Sequence, residues 1–155
     1  MRREAVREML LELEVARKRL IRPYFLEIGL TLGEGQPRVL RTLAQQGLMT
    51  QRELADACRQ DAATMSRSLD RMEEAGLLCR EKNPDSRRSY LVSLTPAGRE
   101  KAELVIAGFR QVDDLLWKGF SEEEMETVLD SLQRMRENLE DAEVLLPADF
   151  PEKNP

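Results

Sequence analysis

Two runs of this sequence carry side chains whose type and spacing suit recognition of a polyanion. The first is Asp61-Ala62-Ala63-Thr64-Met65-Ser66-Arg67-Ser68, small or hydroxylic at its outer positions, with Arg71 a turn later. On a helix end entering a major groove, Ala62 and Ala63 would permit close approach. Thr64, Ser66 and Arg67 would offer hydrogen bonds to base edges, and a Thr or Ala methyl could touch thymine. Open amides at the helix start also suit a phosphate. The same run equally fits an ordinary capped amphipathic helix with a polar face. The second run is Lys82-Asn83-Pro84-Asp85-Ser86-Arg87-Arg88, three cations around one acid. The Asp85-Ser86-Arg87 spacing lets a carboxylate orient the guanidinium. An oriented arginine at a narrow loop tip suits the negative potential of a minor groove. A solvated turn with an incidental ion pair is the plainer reading of those residues.

This chemistry is binding rather than catalysis. The 155 residues include no histidine, which removes His general bases, Ser-His-Asp triads and His metal ligands. Two cysteines, Cys58 and Cys79, are too few for a disulfide framework or a four-cysteine zinc site and suit a reducing cytosol. Packing is the expected role of both. With no glycine-rich phosphate loop, metal-ligand cluster or paired nucleophile and base, the sequence predicts no enzyme, no cofactor and no metal. No apolar run is long enough for a signal peptide or membrane span, so a cytoplasmic protein without a membrane partner is expected.

The formal charge of −5, from 24 Lys and Arg against 29 Asp and Glu, argues at face value against a nucleic-acid partner. Its distribution argues the other way. Residues 1–35 balance at +1, residues 36–102 at +3 and residues 103–155 at −9. The middle third is the part able to face a polyanion, and the acidic last third should keep one off the wrong face.

The elements that must position the two runs follow from periodicity and capping. Val6, Met9, Leu10, Leu13, Ala16, Leu20, Ile21, Tyr24 and Ile28 recur at helical steps, with Pro23 expected to bend or restart the helix. Gly33, Gly35 and Pro37 mark a break, followed by a short helix through Val39, Leu40 and Leu43 that stops at Gly47. Thr50-Gln51-Arg52-Glu53 is a capping box opening a second short helix. Asp61 caps a third, which runs through Met65, Leu69 and Met72 to Gly76. The period then shortens: Leu77–Arg80 and Ser89–Leu94 read as strands around Asn-Pro-Asp-Ser, a turn sequence. Thr95-Pro96 starts a long helix, and Ser121-Glu122-Glu123-Glu124 caps another with a stripe at Met125, Val128, Leu129, Leu132, Met135 and Leu139.

The fold class expected is mainly α with a small β-hairpin wing (α+β): a winged helix-turn-helix domain with long N- and C-terminal dimerisation helices. Its parts are an N-terminal dimerisation helix in 1–35, the winged domain in 36–102, C-terminal dimerisation helices in 103–146, and a flexible, proline-rich tail in 147–155. The terminal helices carry more apolar surface than the middle domain can cover, which points to packing between two chains.

The segments Thr64-Met65-Ser66-Arg67, Leu69-Asp70-Arg71-Met72-Glu73-Glu74-Ala75-Gly76-Leu77-Leu78-Cys79-Arg80 and Asn83-Pro84-Asp85-Ser86-Arg87-Arg88 through Leu94-Thr95-Pro96-Ala97-Gly98 resemble the MarR family of winged-helix regulators. The resemblance covers essentially the whole chain. It implies a two-fold dimer on a pseudo-palindromic double-stranded DNA operator, with the Asp61–Ala75 helix in the major groove. Arg87 would enter the minor groove, steered by Asp85, and Lys82 and Arg88 would lie beside it. It also implies a transcription regulator, typically a repressor, released by a small anionic or phenolic effector or by cysteine oxidation. Oxidation-sensing members carry a reactive cysteine in the N-terminal helix, where this chain has none, and the lack of histidine argues against a zinc sensor. An effector pocket would lie between the long helices and the winged domain, near Arg17, Arg22, Tyr24 and Phe25, although aromatics at that spacing also suit a core. The competing expectation is a winged-helix protein-interaction module without DNA binding.

Overall fold

The structure, a computed structural model, describes residues 3–31 and 35–145. It contains α1 (Arg3–Glu27), α2 (Gln36–Gln46), β1 (Met49–Thr50), α3 (Gln51–Cys58), α4 (Ala62–Glu74), β2 (Leu78–Lys82), β3 (Tyr90–Leu94), α5 (Pro96–Leu116) and α6 (Glu122–Glu140). The chain divides into two compact units, Met1–Leu116 and Trp117–Pro155.

In the first unit the core forms where α2, α3 and α4 meet the sheet and α5. Val39, Leu40, Leu54, Met65, Leu69, Val92 and Val105 are fully buried there. Local signals account for where these helices begin. At α3, the Thr50 hydroxyl accepts from the Glu53 N–H (3.2 Å) and the Glu53 carboxylate accepts from the Thr50 N–H (2.8 Å). At α4, Asp61 accepts from the Thr64 N–H at 2.8 Å. The helix ends in a Schellman motif: the Leu77 N–H donates to Met72 and the Gly76 N–H to Glu73, with Gly76 at φ 73°.

Three features differ from the sequence expectation. The sheet has three strands in the order β1-β3-β2, all antiparallel, rather than a two-stranded hairpin alone. Its extra strand pairs Met49 with Val92 and Thr50 with Leu91, and two residues are too few to show an alternating pattern. Strand β2 runs two residues further than expected, to Lys82, because Glu81 and Lys82 pair with Leu91 and Tyr90. Helix α1 is not restarted at Pro23 but continues as one element to Glu27. A proline removes one intrahelical N–H, which a long helix tolerates near its end at a cost in stability.

Helix α1 packs on α5 through its last turns, where Ile21 and Phe25 are buried. The Tyr24 hydroxyl donates to the Leu104 carbonyl (2.7 Å), and Phe25 and Phe109 stack edge to face at 5.3 Å. Upstream, Met9, Leu10 and Leu13 are each more than 40% exposed, so among the described residues of the first unit the first half of α1 presents an apolar face.

In the second unit, Ser121 and Glu124 form the expected capping box of α6. No residue of α6 is buried, and Leu129, Leu132, Met135 and Leu139 are exposed. The tail expected in 147–155 lies outside the described residues.

Candidate nucleic-acid interface

Helix α4 buries Met65, Ser68, Leu69 and Met72 and leaves the intervening side chains at the surface. Ala62, Ala63, Arg67 and Arg71 are exposed, whereas Thr64 and Ser66 are half-buried. The three-to-four-residue spacing of the buried set aims one stripe inward and the rest outward. At its first turn Asp61, Thr64 and Arg67 form a chain: the Thr64 hydroxyl donates to the Asp61 carboxylate (2.6 Å) and accepts from Arg67 (3.4 Å). That hydroxyl is therefore already engaged in the free chain. Hydrogen bonds from Thr64, side chain first and then backbone, hold the Asp61 carboxyl below its ordinary value.

The hairpin tip is shaped by Asn83. Its carboxamide oxygen accepts from the Asp85 N–H (3.0 Å), its amide group donates to the Ser89 hydroxyl (2.9 Å), and its own N–H donates to the Ser89 carbonyl (3.1 Å). Lys82, Asp85, Arg87 and Arg88 all stand exposed on this framework. Among the described residues no ion pair links Asp85 to Arg87, contrary to the steering contact expected from their spacing. An asparagine anchoring the backbone leaves both charged side chains in water, where such a pair is worth little.

What joins α4 to the hairpin is Arg80, which the sequence reading had placed only within a strand. From β2 its guanidinium donates to Asp70 (2.6 Å) and Glu73 (2.7 Å) on α4, and its backbone N–H donates to Glu73 (3.2 Å). The Arg80 side chain is only 20% exposed, so this is a partly buried clamp rather than a surface pair. The Arg80 hydrogen bond lowers the Glu73 pKa against the opposing effect of burial. Its stabilisation is therefore present above the unfolded carboxylate value and lost as the pH falls through the folded one. Acid should loosen the clamp. Glu73→Gln should flatten the fall in Tm between pH 5 and 3 relative to wild type, and identical slopes would show that this carboxylate is uncoupled from stability. The Glu73 side chain is 40% exposed, so solvent screening keeps the difference small.

Below the helix-turn-helix, also within the first unit, lies a cleft of about 760 Å³. Phe25 and Phe109 provide aromatic surface, and α1 contributes Arg17, Lys18 and Arg22. Arg38 and Arg41 of α2 and Arg59 of the α3–α4 turn add three more cations, against the single carboxylate Asp113. Arg17 and Lys18 are held by Glu14 at 3.0 and 3.2 Å, and Arg41 lies 4.7 Å over the Phe109 ring. Of the four pocket residues expected, Arg17, Arg22 and Phe25 line the cleft, whereas Tyr24 is spent on α5. The contributions of α2 and the turn were missed, since nothing in their sequence separates them from other surface arginines. Cys58 also lines the cleft; burial raises its thiol pKa, which opposes a reactive thiolate. Cys79, half-buried in β2, meets Ser93 at 3.2 Å.

The capped helix α4 locked to a basic hairpin is the arrangement of a winged helix-turn-helix. Residues 32–90 match the MarR family. Over 112 residues the chain is 28% identical to the HTH-type transcriptional regulator YdgJ of Bacillus subtilis (strain 168), covering 72% of this chain and 68% of that one. A MarR-family transcriptional regulator from Silicibacter pomeroyi has a similar structure (TM-score 0.72, 25% identity, covering 88% of this chain and 90% of that one). So does Bordetella bronchiseptica BpsR, whose DNA binding is regulated by 6-hydroxynicotinic acid (TM-score 0.72, 25% identity, covering 85% of this chain and 98% of that one). The chain is thus similar to MarR-family transcriptional regulators, in its middle segment by the family match and over most of its length by structure. No described helix is long and apolar enough to cross a membrane.

Proposed function

We propose that the protein represses nearby genes as a cytoplasmic two-fold dimer, placing one α4 in each of two major grooves of a pseudo-palindromic operator. Ala62, Ala63, Thr64, Ser66, Arg67 and Arg71 face the groove, while Lys82, Arg87 and Arg88, with Asp85 beside them, meet the flanking minor groove. The observation that carries this reading is the Arg80 clamp: it makes helix and hairpin one rigid reader and leaves their basic side chains exposed. Exposed Met9, Leu10 and Leu13 support the dimer, since an apolar helix face of that kind needs a partner. The cleft, with aromatic walls and excess positive charge, suits a small planar aromatic carboxylate as effector, and the relative regulated by 6-hydroxynicotinic acid supports that class.

The test is a titration of the DNA upstream of its own gene at several salt concentrations, against a scrambled duplex of equal length. Preferential binding that weakens steeply with salt is expected, with half-sites about 10 bp apart or a multiple of that spacing. Failure to bind any duplex even at low salt would favour the protein-interaction alternative. Sedimentation at micromolar concentration should give a dimer; a monomer would contradict the role assigned to α1.

A further inference from the structure

We propose that Arg67 reads a guanine in each half-site, and that Thr64 and Asp61 are its positioning residues rather than base contacts themselves. The proposal rests on the DNA-binding reading above and names the base chemistry of that site. The Thr64 hydroxyl carries a single proton, which it donates to the Asp61 carboxylate at 2.6 Å. Its oxygen accepts from the Arg67 guanidinium at 3.4 Å. The Thr64 N–H also donates to Asp61, at 2.8 Å, so Thr64 is tied through both backbone and side chain. These bonds, the hydroxyl's first, hold the Asp61 pKa low and keep its carboxylate ionised. A hydroxyl donating to an anion is polarised, which makes its oxygen a better acceptor for a cation. One chain thus runs from the cap of α4 to its outer face.

Arg67 stands exposed one turn beyond Ala63, whose small side chain leaves room for a groove wall. Its rival partner on the helix is Asp70, three residues on. Arg80 already holds that carboxylate at 2.6 Å, and among the described residues Arg67 forms no ion pair. Arg67 gives one N–H to Thr64 and keeps the rest of its donor fork. A guanidinium has donors and no acceptor. It matches the paired O6 and N7 acceptors of guanine and opposes the N6 amino donor of adenine. The tether also denies Arg67 the nearby phosphates, the sequence-blind partners a free arginine takes on a wrong site. Discrimination therefore rises without any further contact to the base. Asp61, exposed beside a polyanion, weakens binding to every sequence alike. Its charge serves selectivity at the expense of affinity.

Selection from a randomised duplex pool supplies the preferred site. Fluorescence anisotropy then measures Kd on that site and on duplexes with each guanine replaced by adenine or by 7-deazaguanine, which lacks the N7 acceptor. At one guanine per half-site, adenine should weaken wild-type binding about ten-fold, and 7-deazaguanine by a smaller factor. Arg67→Ala should bind more weakly and show no preference at that position. Thr64→Val keeps the shape and methyl but removes the hydroxyl, so the ratio should fall to about three-fold, the loss of one hydrogen bond. Thr64→Ser should restore it. Asp61→Asn keeps a good helix cap and should bind all duplexes more tightly while discriminating less. A purely structural cap would not give that split. The proposal is overturned if Arg67→Ala keeps the wild-type guanine preference, or if Thr64→Val discriminates as wild type does. A pool that yields no site bound above a scrambled duplex would instead remove the DNA-binding reading.

Discussion

Gly98→Ala is expected to lower the melting temperature by about 10 °C, although helix propensity alone predicts a gain. Gly98 lies in the first turn of α5, where alanine is the better helix former by about 1 kcal/mol. A Cβ there would stand 1.8 Å from the Leu77 carbonyl oxygen and 2.8 Å from its carbon. These are backbone atoms, so no side-chain rotation relieves the clash. The junction is also tied from the other side: the Thr95 N–H donates to that same Leu77 carbonyl (3.1 Å). The Thr95 hydroxyl donates to Gly76 (2.6 Å) and accepts from the Gly98 N–H (3.0 Å). Displacing Leu77 disturbs the end of α4, the start of β2 and the α5 cap together. Overpacking of this kind costs about 3 kcal/mol, or about 10 °C for a chain of this size. Differential scanning calorimetry reads the sign directly, and an unchanged or raised Tm would show that the contact yields easily.

Arg87→Ala should weaken operator binding by about 1–3 kcal/mol, and more than Arg88→Ala does. A narrow minor groove concentrates negative potential, so a guanidinium inserted there gains more than one resting on an outer phosphate. In the free chain Arg87 is exposed and makes no ion pair with Asp85, while Asn83 holds the loop backbone in shape. If the Asp85–Arg87 contact forms only on DNA, Asp85→Ala should weaken binding in wild type but have little further effect in Arg87→Ala. A double-mutant cycle by fluorescence anisotropy measures that coupling. Additive losses would assign the two residues independent roles. A loss that is uniform across sequences, with a salt slope reduced by about one, would mark Arg87 as a phosphate contact instead.

Much of the reading unit was legible because the signals that build it are local. A hydroxyl or carboxylate capping an amide three residues away is visible in Thr50-Gln51-Arg52-Glu53, Asp61 and Ser121, and each cap forms as expected. The Asn83-Pro84-Asp85-Ser86 turn was equally readable, and the hairpin forms around it. Strand β1 was not, because its two residues become a strand only by pairing with β3, more than forty residues away. The Asp85–Arg87 contact was read from spacing alone, and spacing does not say which partner wins in water.

By itself the sequence determined the order of the helices and the two hairpin strands, the caps that start the short helices, the basic tip of the hairpin and the segregation of charge behind the net −5. Each of these depends on residues within about four positions of one another, or on composition. Only the tertiary structure decided that Arg80 locks α4 to the hairpin. It alone gathered cations from α1, α2 and the α3–α4 turn around one cleft. An arginine looks the same in a sequence whether it faces water, a distant carboxylate or a cavity. Its partner is chosen when the core packs and brings remote segments within hydrogen-bonding distance.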